Sequence, residues 1–258
     1  MWAWAYASQS RAGGTGPHCE EARLSVQVTA MHMSDGLVNA PTSLVFAALA
    51  IAVVAFCGWR ARTELDERTV PLAGLVAAFI FAVQMINFPI LPGVSGHLLG
   101  GALAAILVGP YTGVLCITIV LVVQSLLFAD GGVTALGMNI TNMGVIGVAA
   151  GYSTALLLYA LVRRRSREPS VPALGVVGFI SAVIGTVCAS MGFVVEYAIG
   201  GAAPTSLSTV AAYMLGTHVL IGIGEGLITA VTVMAVARSR PDLVYLLRRS
   251  RDRAAVPA

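Results

Sequence analysis

Apolar positions along this chain come in long, nearly unbroken runs. Neither the strict alternation of a half-buried strand nor the three-to-four spacing of a one-sided helix dominates. A run of about 20 mostly apolar residues is long enough to cross a bilayer core. Only a helix or a closed barrel satisfies its own backbone there. The runs predict helices over about 41–59, 70–88, 96–108, 111–128, 138–162, 172–199 and 209–236. Pro41 suits a first helical turn, Pro89 follows the second run, and Gly109-Pro110 separates the third from the fourth. The third run is too short to cross untilted. Gly96, Gly100, Gly101, Ala104 and Ala105 suit burial among other helices, because small residues let backbones approach closely.

Composition agrees with this pattern. The chain has 258 residues, 57% apolar and only 10% charged, with a mean hydropathy of +0.86. A soluble domain carries about 25% charged residues. All fifteen basic residues are Arg, and the thirteen after Met31 gather in three short stretches: Arg60, Arg62 and Arg68; Arg163 to Arg165 with Arg167; and six from Arg238 to Arg253. That grouping is a topology signal rather than a nucleic-acid footprint. With seven spans every stretch falls on one face, whereas six or eight would mix them. The expected fold class is therefore all-α: a polytopic membrane bundle of about seven transmembrane helices, amino terminus outside and carboxyl terminus cytoplasmic. Three regions are expected: a leader over 1–30, a transmembrane metal-binding domain over 31–238, and a basic cytoplasmic tail over 239–258. Four cysteines without a CxxC spacing suggest neither a disulfide framework nor a zinc site.

Residues 1–30 are polar and Gly-rich, and lack the apolar core of a signal peptide. The preferred reading is an upstream start codon, with translation beginning at Met31. Cleavage after Ala30 is the second reading, and a retained disordered extension is the third.

Met31-His32-Met33-Ser34-Asp35-Gly36 carries the candidate chemistry. If the chain begins at Met31, a free amine, the His32 amide nitrogen and His32 Nδ1 form one chelating unit with a five- and a six-membered ring. His97, at the start of the third run just after a Pro/Gly-rich stretch, can supply a fourth nitrogen. Four nitrogens in a plane favour Ni(II) or Cu(II), with Co(II) possible, over magnesium or calcium. Spacing alone leaves open that each imidazole is an ordinary helix-end residue. Asn87, Asn139 and Asn142, near helix ends on the same side, are candidates to orient the ligands through hydrogen bonds. Asp35 and Asp130 lie on that side too. His218 and Glu225 share a face of the last helix. A packing surface is the better reading for them, with Glu225 too far inward to join the site.

The stretches MHMSDGLV, RTELDERTVPLAGLVAAFIFAVQMINFPI, SGHLLGGALAAILVGP, QSLLFADGGVTALGMNITNMGVIG and GTHVLIGIGEGLITA together resemble the CbiM/NikM family. These are substrate-binding membrane components of energy-coupling-factor importers for cobalt and nickel. The resemblance covers about residues 31–245. It implies seven spans with the terminus outside, and a metal held by Met31, His32 and His97. Only the upstream thirty residues depart from the pattern.

The chain has no Walker A motif, so ATP hydrolysis would have to come from elsewhere. The resemblance implies a transmembrane coupling protein, cytoplasmic ATPase subunits and a small accessory membrane subunit as partners, and cobalamin synthesis or nickel enzymes as the destination. No cofactor is expected; Co(II) or Ni(II) is the transported ligand. Two other classes were weighed. An intramembrane hydrolase would use Ser95, His97 and Glu225, but that Ser/His pair is local, and no HExxH is present. A component for an organic vitamin would want a larger aromatic-lined pocket, and aromatics are only 7% of residues.

Overall fold

The computed structural model describes residues 32–67, 69–86, 88–91, 94–166 and 169–249. Met31, Asn87, the segment 1–30 and the end of the basic tail lie outside the described residues. Helix α1 spans Ala40–Ala61 and α2 spans Thr69–Gln84. Strands β1 (Phe88–Leu91) and β2 (Val94–Gly96) form an antiparallel hairpin. Then come α3 (Gly101–Val108), α4 (Pro110–Leu127), α5 (Leu136–Arg165), α6 (Val171–Gly200) and α7 (Leu207–Ser239). Five of these, α1 and α4 to α7, are long and apolar enough to cross a membrane, and α2 is a shorter apolar helix. The protein is a helical, multi-pass membrane protein.

Two expectations need correction. The second helix ends at Gln84 rather than near 88, and the third begins at Gly101 rather than 96. The chain between them is an extended hairpin. Pro89 disfavours helix in the residue before it, and the buried Gln84 side chain turns back to donate to the Leu99 carbonyl at 2.7 Å. The third helix is therefore only 8 residues long, about 12 Å at 1.5 Å per residue. All of it is buried. It sits against α5 where Gly101 meets the backbone of Gly147 and Val148, and Gly185 of α6 closes on Gly147 from another side. A Cβ at Gly101 would stand 3.1 Å from that backbone. Glycine there lets three helices meet nearly backbone to backbone.

The helix starts are written in the sequence. Asn39, Ser170 and Ser206 cap α1, α6 and α7, each accepting from a backbone N–H three residues on. Such caps are each worth about 1 kcal/mol. At one end of the bundle the carboxylate of Glu64, in the α1–α2 loop, accepts from the Thr112 amide at 2.7 Å and the Thr112 hydroxyl at 2.9 Å. It thus caps α4 after the turn at Gly109 (φ +102°). Burial pushes the Glu64 pKa up, and the Thr112 hydrogen bonds pull against that shift.

The same end carries arginine. Arg60 stacks on Trp59 and Tyr111, Arg248 reaches Asp66 and Arg249 donates to Tyr152. Val244 and Leu246 are buried beneath this cluster. At the opposite end, the segment from His32 to Asn39 is tied down on two sides. Asn39 donates to the Gly200 carbonyl and Ala202 to the Leu37 carbonyl. Gly132 donates to the Met33 carbonyl, and the Thr134 amide to Asp35 at 2.8 Å.

Candidate metal centre

The two imidazoles singled out in the sequence meet at this strapped end. The rings of His32 and His97 have centroids 4.5 Å apart and planes inclined by 37°. They are 2% and 3% exposed. His32 arrives on the amino-terminal strap and His97 on the chain leaving β2.

Each ring is held by one nitrogen. His32 Nδ1 lies 3.2 Å from Asp130 Oδ1, and this bond draws the Asp130 pKa below the usual carboxylate range. His97 Nδ1 lies 2.9 Å from the Leu98 carbonyl, which accepts from it. Nε2 of both rings is buried without a hydrogen-bond partner among the described residues. A buried unpaired nitrogen costs about 1–3 kcal/mol, so each of the two calls for an occupant. Burial, and next the neighbouring His32, push the His97 pKa down to about 4. His97 is therefore a neutral imidazole with a lone pair at neutral pH, the state a metal needs.

The strap is fixed beside these rings by Asn139. Its Oδ1 accepts from the Met33 amide at 2.8 Å, and its Nδ2 donates to the Met33 carbonyl at 3.1 Å. Gly131 (φ +90°) lies so close to His32 that a Cβ there would stand 3.0 Å from the His32 Cβ. Asn142 donates to Glu196 at 2.6 Å and, with His97, lines a small cavity beneath the rings. Asn139 and Asn142 thus lie at the site, Asn139 by holding the strap. Met31 and Asn87 lie outside the described residues. Among the described residues no group of three or more His, Cys, Asp or Glu side chains is gathered for a metal. Side chains alone supply two nitrogens here.

Glu225 acts differently from its sequence reading. It touches neither ring, yet its carboxylate accepts from the Leu99 amide at 2.9 Å, the Gly100 amide at 3.0 Å and the Thr186 hydroxyl at 2.9 Å. It therefore anchors the chain directly after His97. These bonds make Glu225 a backbone anchor. The sequence signal was present, since a carboxylate within a span demands a partner. Which backbone it would grip was not visible.

The model of the family described as "CbiM: Cobalt uptake substrate-specific transmembrane region" matches residues 32–243. The chain belongs to the CbiM family. A provisionally named fused nickel transport protein, NikMN, of Archaeoglobus fulgidus is 39% identical to this CbiM-family chain over 214 residues, 83% of this chain and 68% of its own length. The cobalt transport protein CbiM of Sorangium cellulosum is 31% identical over 225 residues, 84% of this chain and 96% of that one. A crystal structure of a truncated transition metal transporter superposes with a TM-score of 0.69 at 26% identity, over 81% of this chain and 99% of that one. Like its family, the protein is a substrate-specific membrane component of metal transport.

Proposed function

We propose that this CbiM-family chain captures Co(II) or Ni(II) for an ATP-driven energy-coupling-factor importer. The metal is held by the Met31 amine, the His32 amide nitrogen, His32 Nδ1 and His97 Nε2. The observation that carries this reading is the buried pairing of His32 with His97 at 4.5 Å, with an unpartnered Nε2 on His97. The hydrogen bond from His97 Nδ1 to the Leu98 carbonyl leaves Nε2 as the free donor. Chelation through His32 Nδ1 displaces Asp130, which lies against that nitrogen; the Nδ1 proton passes to Nε2, and the amide and amine protons are released to solvent. Among the described residues two side-chain nitrogens are gathered, so the remaining donors come from the main chain, and the amine must be unblocked. Translation from Met31 satisfies that condition.

The His32 end of the bundle faces outward and the arginine end lies in the cytoplasm, following the positive-inside tendency. Lacking a phosphate-binding loop, the chain relies on cytoplasmic ATPases, a transmembrane coupling protein and a small accessory membrane subunit. The metal serves cobalamin synthesis or a nickel enzyme.

Titration calorimetry with CoCl2 and NiCl2 on purified protein tests the site. A chain starting at Met31 is expected to bind one ion tightly. His32→Ala, His97→Ala and a chain with residues 1–30 attached are each expected to lose tight binding. Unchanged affinity in either histidine variant would refute the ligand set.

A further inference from the structure

The proposed site leaves one buried imidazole unused. His218, in α7, is 5% exposed. Its Nδ1 lies 2.8 Å from the Met214 carbonyl and 3.3 Å from the Thr217 hydroxyl. An imidazole donating Nδ1–H to a carbonyl carries its lone pair on Nε2. His97 is held the same way by Leu98. Metal-binding histidines are characteristically oriented by such a bond from the other ring nitrogen. No hydrogen bond reaches His218 Nε2 among the described residues.

Two cavities adjoin at this ring. The larger, about 210 Å³, is lined by His32, Tyr213, Met214 and His218, and its rim includes Thr205 and Thr209, both exposed. The smaller, about 20 Å³, is lined by His97, Asn142, Ser190 and His218. A water needs about 10–15 Å³ of such space, so the small cavity holds roughly one water-sized occupant. His32 borders only the outer cavity and His97 only the inner one. His218 borders both, as do Met214 and Phe193. Of these three, His218 offers an imidazole nitrogen, the donor that suits cobalt and nickel.

We propose that His218 is a transit ligand: an incoming Co(II) or Ni(II) ion binds His218 Nε2 while it still carries water, then passes to His32 and His97. This rests on the proposed metal-capture function. A hydrated dication crossing an apolar cavity meets a steep desolvation cost. A nitrogen that takes the place of one water before the next is lost divides that cost into steps. The exchange is redox-neutral. Each water leaves with its own electron pair as a nitrogen lone pair takes its place, and the bond to His218 breaks as the final ligands close. His218 is not a resident ligand in this scheme, consistent with the absence of a three-residue cluster among the described residues.

A transit ligand lowers the barrier in both directions, so it moves rates rather than equilibrium. The test measures Ni(II) association by stopped flow and dissociation into excess chelator, using detergent-purified protein starting at Met31. His218→Asn keeps an N–H near the Met214 carbonyl and removes Nε2. It is expected to slow both association and dissociation by about tenfold or more, with Kd kept within about threefold. His218→Met, which restores a metal-binding atom without an imidazole, is expected to recover part of the rate and guards against a folding defect in the first variant. Wild-type exchange rates in folded His218→Asn would overturn the proposal. So would a loss of affinity as complete as that of His97→Ala, which would make His218 a resident ligand. Failure of the wild-type protein itself to bind Ni(II) would instead reject the metal-capture function.

Discussion

Glu225 holds Leu99 by its backbone, accepting the amide at 2.9 Å from a helix that enters the chain more than a hundred residues later. The second carboxylate oxygen takes Gly100 at 3.0 Å, and His97 stands two residues before Leu99. Glu225 thereby helps to set the height and direction of one imidazole through the backbone that follows it. Replacing this carboxylate by an amide leaves a single acceptor oxygen and turns an N–H₂ toward a backbone donor. Each buried group so disappointed costs about 1–3 kcal/mol. Glu225→Gln is expected to weaken Ni(II) or Co(II) binding by roughly 5- to 100-fold, while the fold, followed by circular dichroism, persists. Calorimetry showing wild-type affinity would remove Glu225 from the positioning of His97.

Asn139 does for the strap what Glu225 does for the hairpin. Its amide brackets Met33, accepting from the N–H and donating to the carbonyl, beside the residue that carries the other ring. Asn139→Asp retains the acceptor and loses the donor; Asn139→Ala loses both. The expected order of metal affinity is therefore wild type, then Asn139→Asp, then Asn139→Ala. Loss of one buried hydrogen bond is worth about 1 kcal/mol or more, so calorimetric affinities should separate by at least about fivefold per step. Equal affinities for the two variants would contradict the bracket.

Much of this arrangement was legible in the chain, and the unread part has a physical cause. Long apolar runs and the proline and glycine breaks gave the order of the helices to within a few residues, as at Gly109-Pro110. His32 and His97 stood out because coordination chemistry narrows the donor types. What one sequence did not disclose is long-range pairing. Two of the three partners of Glu225 are backbone amides, which have no sequence identity, so the chain alone shows only a packing face. The stretch between Phe88 and Gly96 reads in the sequence as a Pro/Gly-rich connection, and its strand pairing is made by backbone groups that no residue type announces. The sequence places Asp130 only on the same side as the histidines, although its oxygen lies against His32 Nδ1.

The pH response of the metal-free protein follows from His97. Its pKa in the folded state is pushed down to about 4, against about 6.5 in an unfolded chain. Between those values the unfolded state binds more protons than the folded one, so stability rises with pH through this window. It is fully present above pH 6.5 and is lost as the pH falls toward 4. The gap corresponds to at most about 3 kcal/mol. Asp130, with its depressed pKa, loses its contribution at still lower pH. The melting temperature in detergent is expected to fall between pH 7 and pH 5, and His97→Gln is expected to flatten that slope. An identical slope in the variant would show that His97 does not carry the effect.

Glu64 offers the converse case, a buried carboxylate at the arginine end with no contact to the metal centre. Its oxygens satisfy the first free amides of α4 and the Thr112 hydroxyl, and Gly109 leaves room for its carboxyl group, which a Cβ would enter at 2.6 Å. A negative charge at a helix amino terminus is favourable, and removing it strands the buried Thr112 amide. Glu64→Ala is expected to destabilise the protein by about 2–3 kcal/mol, while the affinity for Ni(II) or Co(II) stays within about twofold of wild type. Glu64→Gln, which keeps one acceptor, should fall between. Thermal melts in detergent read the first effect and calorimetry the second. A large loss of metal affinity in folded Glu64→Ala would mean that the two ends of the bundle are energetically coupled.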